Sequence, residues 1–278
     1  MKINKKFPAK RVLITGAGCG LGRALCLEFA TRGWKIAATD IDMKRISETA
    51  ALVHEAGGSP LEIRLDVTRP DDFVRTLETI NEKWGGLDIL VNNAGVAAAG
   101  YMEKIALDRW DWIIDLNQKS LVYGCRAAIP AFKEQGRGHI VNVASCAGIA
   151  SLSEMSSYNA TKAAAISLTE TLKMELHPHG IGVTAVCPTF FKTNLMDQFN
   201  SPDDRQRLLA EKMFEKSLTT ADRIAGKIIR CIEKNRFYLV TPIDARLVWF
   251  FKRHFPEKYM KSMAWGYKAG LFDKYVGI

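Results

Sequence analysis

The 278 residues are 47 % apolar and 25 % charged, the balance of an ordinary globular protein, and the length suits one α/β domain around a single buried core. No apolar run approaches the ~20 residues that cross a bilayer, which excludes a membrane-spanning helix. The formal net charge of +9 admits an acidic membrane surface, nucleic acid or an acyl carrier as partner, and selects none of them by itself.

The N-terminal stretch from Met1 to Arg11 is basic, with no apolar segment behind it, so no secretory leader is expected. Arg11 to Thr15 is a short β-rich run that leads into Thr15-Gly16-Ala17-Gly18-Cys19-Gly20-Leu21-Gly22. Arg23 to Arg32 then shows helical apolar spacing at Leu25, Leu27, Phe29 and Ala30. A strand, a glycine loop and a helix in that order build a phosphate cradle, because glycines let backbone N–H groups approach a pyrophosphate and the helix N-terminus adds partial positive charge. A tight turn with no ligand is the competing account.

Trp34 to Thr39 reads as the second strand, with Asp40 at its end. A carboxylate there can accept hydrogen bonds from both ribose hydroxyls of an adenosine and would repel the extra phosphate of NADP, which favours NAD(H) and leaves NADP(H) open. Lys44 and Arg45 follow closely and would counter that repulsion; as first-turn residues of the next helix they are expected to face solvent.

Ser47 to Ala56 is helical, Gly57-Gly58-Ser59-Pro60 breaks it, and Leu61 to Leu65 is a third strand ending in Asp66-Val67. Asp66 there can cap a turn. Asp71 to Trp84 is a helix stopped by Gly85-Gly86. Leu87 to Val91 runs into Asn92-Asn93-Ala94-Gly95, where amides can tie neighbouring strands while small residues leave room for a ligand. A long helical pattern from Asp108 to Ile129 holds Asn117 at its centre, a residue that helices disfavour and that therefore invites a special role.

Gly138 to Ala144 gives the fifth strand, and Ser145 stands at its carboxyl end, where a hydroxyl can meet a substrate oxygen without moving. Ser156 to His177 is a helix that carries Tyr158 and Lys162 four residues apart, hence on one face. A fixed ammonium beside a phenol favours phenolate and would lower a pKa that ordinarily lies near ~10. An exposed amphipathic pair is the alternative for two such residues.

Ile181 to Cys187 is the sixth strand, Ala221 to Lys234 a helix capped by Thr219 or Thr220, and Phe237 to Val240 the last strand of a seven-stranded parallel sheet. Between them, Phe190 to Phe214 mixes apolar and polar residues as a substrate lid or a plain surface helix would. In the tail, residues 243–278, seven Lys and Arg stand against three Asp and Glu, interleaved with nine aromatic residues. That pattern suits an interfacial membrane helix, packing over a substrate pocket, or a contact with a second subunit. No recognition motif accompanies the charge, so no nucleic acid partner is expected. Six scattered cysteines without Cys-x-x-Cys point to reduced thiols in a cytoplasm-like compartment and to no metal site; Cys146 reads as a packing residue.

Together, Thr15-Gly16-x-x-x-Gly20-x-Gly22, Asn92-Asn93-Ala94-Gly95, Ser145 and, thirteen residues on, Tyr158-x-x-x-Lys162 resemble the short-chain dehydrogenase/reductase family in its order, across Arg11 to about Val240. The resemblance implies one doubly wound Rossmann domain over residues 1–278, with a core at 11–240, a lid at about 190–215 and a helical aromatic extension at 243–278. It implies an NAD(P)(H)-dependent oxidoreductase, a homodimer or homotetramer, that interconverts an alcohol and a carbonyl on a small hydrophobic substrate. The catalytic residues carried over are Asn117, Ser145, Tyr158 and Lys162, with Asn117 bending its helix and serving a proton relay. The cofactor residues are Thr15, Gly16, Gly20, Leu21 and Gly22 in the loop, Asp40 at the ribose, Asp66 and Val67 at the adenine, and Asn93, Ala94, Gly95, Tyr158, Lys162, Pro188 and Thr193 toward the nicotinamide. Thr189 stands where the family usually has glycine, which puts a side chain in the local backbone path. A protein that binds NAD(H) as a sensor or scaffold, without chemistry, is the rival reading.

Overall fold

The computed structural model describes residues 2–191 and 194–277. Its strands are β1 (Arg11–Thr15), β2 (Lys35–Asp40), β3 (Ser59–Arg64), β4 (Ile89–Asn92), β5 (Gly138–Val143), β6 (Ile181–Pro188) and β7 (Tyr238–Thr241). Every residue of β1, β4, β5 and β6 is buried, as short continuous apolar runs are when helices cover both faces of a parallel sheet. Among the described residues these strands form one seven-stranded parallel sheet of order β3-β2-β1-β4-β5-β6-β7. The register places Leu13 of β1 between Ala37 and Leu90.

Parallel neighbours need crossovers, and the helices supply them. On the face to which Val12 and Ile14 point lie α1 (Lys2–Lys6), α2 (Gly20–Ala30) and, by Ile46 and Val53, α3 (Met43–Glu55). Leu13 points to the other face, covered by α4 (Pro70–Trp84) through Ile80. Next come α5 (Leu107–Ile114), a π-helical segment at Asp115–Lys119, and α6 (Ser120–Glu134). They are followed by the short α7 (Ala147–Ala150) and by α8 (Ser156–Leu176). Phe132 of α6 and Leu172 of α8 complete the second core. α9 (Asp204–Glu215) precedes α10 (Ala221–Glu233), whose Ile224 and Ile228 return to the first face. α11 (Ile243–His254), α12 (Pro256–Lys268) and α13 (Leu271–Val276) form the extension. Among the described residues no helix is long and apolar enough to cross a membrane.

Helix boundaries follow caps more than apolar spacing. α3 starts four residues before the expected Ser47, because the Asp42 carboxylate accepts from the N–H groups of Lys44 and Arg45. Gly85, at φ +70°, ends α4, and Thr220, not Thr219, caps α10 by accepting from Arg223. The long pattern around Asn117 is interrupted by the π segment and runs past Pro130 to bury Phe132. No helix is expected at α1 from its amino-acid pattern. Ile3 and Phe7 are nonetheless buried, and Asn4 Oδ1 accepts from Trp34 Nε1 at 2.9 Å, so the basic N-terminus is part of the first core.

Candidate active site

The order of the sheet reverses between β1 and β4, and a crevice opens beyond their carboxyl ends. Into it runs one cavity of about 810 Å³. Gly16, Gly20 and Leu21 line its floor. Thr15 lies behind them: its Oγ1 accepts from the N–H groups of Asn93 and Ala94, both at 3.0 Å, and so joins β1 to the loop after β4. Gly22 also lies beneath, where a Cβ would stand 2.0 Å from the carbonyl oxygen of Gly16. That approach lets the loop close on the first turn of α2.

Asp40 reaches the cavity with both oxygens held, Oδ2 by the Gly18 N–H at 3.1 Å and Oδ1 by the Asp42 N–H at 3.2 Å. Lys44 is exposed as expected, whereas Arg45 is not simply solvated. Its guanidinium lies at the cavity wall and meets Asp197 at 3.1 Å, because Asp197 comes across from the 190–215 segment. Asp66 does cap a turn, accepting from Thr68 N–H at 3.0 Å and Thr68 Oγ1 at 2.7 Å, while Asp66 and Val67 also line the cavity.

Asn92 and Asn93 tie strands. Asn92 donates to Asn142 Oδ1 at 2.9 Å, and Asn93 to the carbonyls of Thr15 and Gly16 at 2.9 and 3.1 Å. Asn93, Ala94 and Gly95 line the cavity. Asn117, fully buried in the π segment, clips the next residues: it accepts from Val96 N–H and donates to Val96 O, both at 2.9 Å, and to Thr161 Oγ1 at 3.3 Å. A Cβ at Gly95 would meet Asn117 Oδ1 at 2.8 Å and Lys162 Nζ at 3.3 Å, so a glycine is what allows these groups to converge.

Ser145, Tyr158 and Lys162 all face the cavity and all are buried. Ser145 Oγ accepts from Ala147 N–H at 3.1 Å and donates to Pro188 O at 3.5 Å, which fixes the hydroxyl beside Tyr158. Lys162 Nζ donates to Val143 O at 3.1 Å and lies 5.7 Å from the centroid of the Tyr158 ring. They are not an exposed pair. Contrary to the expected lowering, the Tyr158 pKa is raised, since burial outweighs the neighbouring Ser145 hydroxyl that lowers it, and Lys162 is turned to a carbonyl rather than to the phenolic oxygen. Cys146 is an inert neighbour whose buried thiol is pushed up to about 11.

Burial also lowers Lys162 to about 8. A lysine whose amine is harder to protonate when folded than when unfolded destabilises the fold below the folded value, and the penalty fades as pH rises toward the ordinary lysine pKa of ~10.4. Lys162→Met, which keeps the chain and removes the charge, is therefore expected to raise stability by about 2 kcal/mol at neutral pH, after discounting the lost bond to Val143. The gain over the parent shrinks between about pH 8 and pH 10. Urea unfolding at both ends of that range checks the sign; a variant less stable at neutral pH contradicts it.

Beyond Tyr158 the cavity is walled by Leu152, Met155, Phe191, Phe199, Met213 and Phe214, so the 190–215 segment lines the site instead of forming a plain surface helix. Pro188 lines it too, and Thr193 lies outside the described residues. Thr189 is accommodated by continued strand pairing, its N–H donating to Thr241 O at 3.0 Å. The extension supplies Tyr267, Phe272, Asp273 and Tyr275 to the same wall.

A latch absent from the sequence reading joins these parts. Glu154, at φ +58°, accepts from Arg205 Nη1 at 3.0 Å, Gln206 Nε2 at 2.8 Å and the Tyr267 hydroxyl at 2.9 Å. Arg205 Nη2 donates to both oxygens of Asp273 at 2.7 Å, and that pairing raises its pKa. Because Arg205 is 40 % exposed, the pair is screened and worth on the order of 1 kcal/mol. Asp273→Asn is expected to raise KM for a bulky substrate about 5-fold with kcat within about 2-fold, an effect that vanishes in high salt. An unchanged KM would remove the latch from the account.

The chain matches the family described as short chain dehydrogenase over residues 10–204. It is 32 % identical over 255 residues to the "CLA biosynthesis dehydrogenase/reductase" of Lactiplantibacillus plantarum, covering 85 % of this chain and 89 % of that relative. To the 2-(R)-hydroxypropyl-CoM dehydrogenase of Xanthobacter autotrophicus it is 31 % identical, covering 78 % and 88 %. A crystal structure of a short chain dehydrogenase/reductase from Burkholderia phymatum in complex with NAD superposes with a TM-score of 0.83, at 29 % identity, covering 87 % of this chain and 92 % of that one. With the glycine loop, the parallel sheet and the Ser145, Tyr158 and Lys162 cluster already in place, the chain belongs to the short-chain dehydrogenase/reductase family, oxidoreductases that act on CH–OH groups with a nicotinamide dinucleotide.

Proposed function

We propose that the protein interconverts an alcohol and a ketone or aldehyde on a bulky apolar substrate, with Tyr158 as general acid and base and NAD(H) as the preferred cofactor. The observation that carries this reading is a buried phenol beside a fixed serine, inside a cavity that is glycine-floored at one end and aromatic at the other.

The residues present fit a dinucleotide. The close approach of Gly22 to Gly16 leaves a floor without side chains, and Asp40, oriented by two N–H groups, would take the ribose hydroxyls. Gly16, Gly20 and Leu21 would hold the pyrophosphate, Asp66 and Val67 the adenine, and Asn93, Ala94, Gly95, Lys162 and Pro188 the nicotinamide end. When bound, the nicotinamide supplies a hydride to the carbonyl carbon or accepts one from the carbinol carbon.

Ser145 donates a hydrogen bond to the substrate oxygen and holds it against Tyr158. In reduction, the Tyr158 hydroxyl passes its proton to the forming alkoxide; in oxidation, the phenolate takes the hydroxyl proton. A tyrosine is protonated at neutral pH and burial moves its pKa further up, so reduction starts with the acid loaded. Lys162 holds its ammonium below about pH 8, close enough to favour the phenolate electrostatically while the proton is away. Asn117 is a positioning residue: it fixes Val96 and Thr161 around the lysine.

A panel of ketones graded by size, followed by NADH absorbance, tests the substrate class. Bulky apolar members are expected to exceed the smallest by about 100-fold in kcat/KM, because several methylenes enter an apolar wall. A flat size profile would speak against the reading. Asp40→Ala is expected to move the ratio of kcat/KM for NADH over NADPH down by about 10-fold or more, since it removes a ribose acceptor and a charge that repels the extra phosphate, while Arg45 stays at hand. An unmoved ratio would refute the part given to Asp40.

A further inference from the structure

We propose that the outer face of α11 and α12 is a docking surface for an anionic lipid bilayer, on which the protein sits peripherally. This stands independently of the catalytic reading. α11 is two-faced. Ala245, Val248 and Trp249 pack inward with Ile149 and Val240, while Ile243, Leu247, Phe250 and Phe251 stand on the opposite side at spacings of four, seven and eight residues. Phe250 and Phe251 are 52 % and 54 % exposed, and Trp265 of α12 is 66 % exposed. Phe255 and Met260 extend the same display between them. Among the described residues the exposed phenylalanines and the exposed tryptophan all fall in this stretch. Ordinary surfaces scatter such residues singly, and a concentration of them marks a contact.

The charge around them selects the occupant. Arg253, His254, Lys258, Lys261 and Lys268 are exposed along the two helices, against the carboxylates of Asp244 and Glu257. Lys258 lies 5.7 Å from the exposed Phe255 ring, so a cation borders the aromatic display instead of belonging to a separate patch. A second copy of this surface would bring cations against cations. An anionic headgroup layer complements them, and the aromatic side chains suit the boundary between headgroups and acyl chains. The geometry is that of helices lying in the interface plane, since neither is long enough to span. The same two helices give Val248 and Tyr267 to the cavity wall, which sets an apolar reservoir beside the site.

The test is co-sedimentation of the full chain with vesicles of phosphatidylcholine alone and of phosphatidylcholine mixed with phosphatidylglycerol. Binding is expected to the mixed vesicles, about 10-fold or more tighter than to the zwitterionic ones, and to weaken in high salt. Phe250→Ser with Phe251→Ser and, separately, Lys258→Glu with Lys261→Glu are each expected to weaken it about 10-fold or more. NADH binding should be unchanged in both, which reports that they fold. No sedimentation with mixed vesicles, equal binding to both compositions, or indifference to both double variants would overturn the proposal. So would sedimentation velocity showing an oligomer that Phe250→Ser with Phe251→Ser dissociates, since the face would then belong to a second copy.

Discussion

Gly22→Ala is expected to lose NADH binding by about 100-fold or more and to destabilise the fold by about 3 kcal/mol. The added carbon would sit 2.0 Å from the Gly16 carbonyl oxygen, 2.7 Å from its carbonyl carbon and 2.8 Å from Asn93 Nδ2. Two of those three atoms are backbone, so no rotamer change relieves the overlap. The loop must lift from α2, which spoils the cradle and pulls on the Asn93 amide that ties β4 to it. NADH fluorescence titration and urea unfolding measure the two effects, and a Gly22→Ala variant that binds NADH as the parent does would show that the loop has slack.

Tyr158→Phe should separate chemistry from affinity. The ring remains and its packing against Ala97 and Ala147 is kept, so the fold and the glycine cradle are undisturbed. What disappears is the oxygen that, in the proposed mechanism, exchanges a proton with a substrate held on Ser145. General acid–base catalysis is worth ~10²–10⁴-fold, so kcat is expected to fall about 1000-fold while Kd for NADH changes by about 3-fold or less. A Phe variant with kcat near the parent's would take the proton away from Tyr158.

Much of this arrangement was legible in residue order because the strands are short apolar runs with polar stops, and a parallel sheet demands such runs. β1 is found at Arg11–Thr15 as read, and β5 and β6 differ from expectation by one residue at their ends. The glycine loop and the Tyr158 and Lys162 spacing were legible for a different reason: close backbone approach and helical periodicity act over a few residues. α1 escaped because its single apolar residue, Ile3, makes no pattern even with Phe7 just beyond it, and its partners, Trp34 and α10, lie about thirty and more than two hundred residues away. The latch of Glu154, Arg205 and Asp273 escaped in the same way. Charges that meet across 51 and 68 residues leave no local signal. In the tail, composition announced aromatic and basic residues but not their direction. Tyr267 and Phe272 turn inward to the cavity while Phe250 and Trp265 turn out, a division that only the packing decides.

The protonation states carry a further lesson about what spacing conveys. Four residues on a helix place an amine and a phenol on one side, but burial then moves both values against ionisation, the phenol up and the amine down to about 8. The pair is thus poised to start in its acid form, and its charge depends on what fills the cavity.

The most direct measurement follows deuterium. NADH labelled at its transferable hydrogen, turned over with a bulky apolar ketone, is expected to deliver one deuterium to the carbinol carbon per molecule of alcohol with the parent protein, and about 1000-fold more slowly with Tyr158→Phe. Equal rates of label transfer by the two proteins, or tight NADH binding with no transfer to any ketone of the graded panel, would contradict a proton-donating Tyr158 above a dinucleotide cradle.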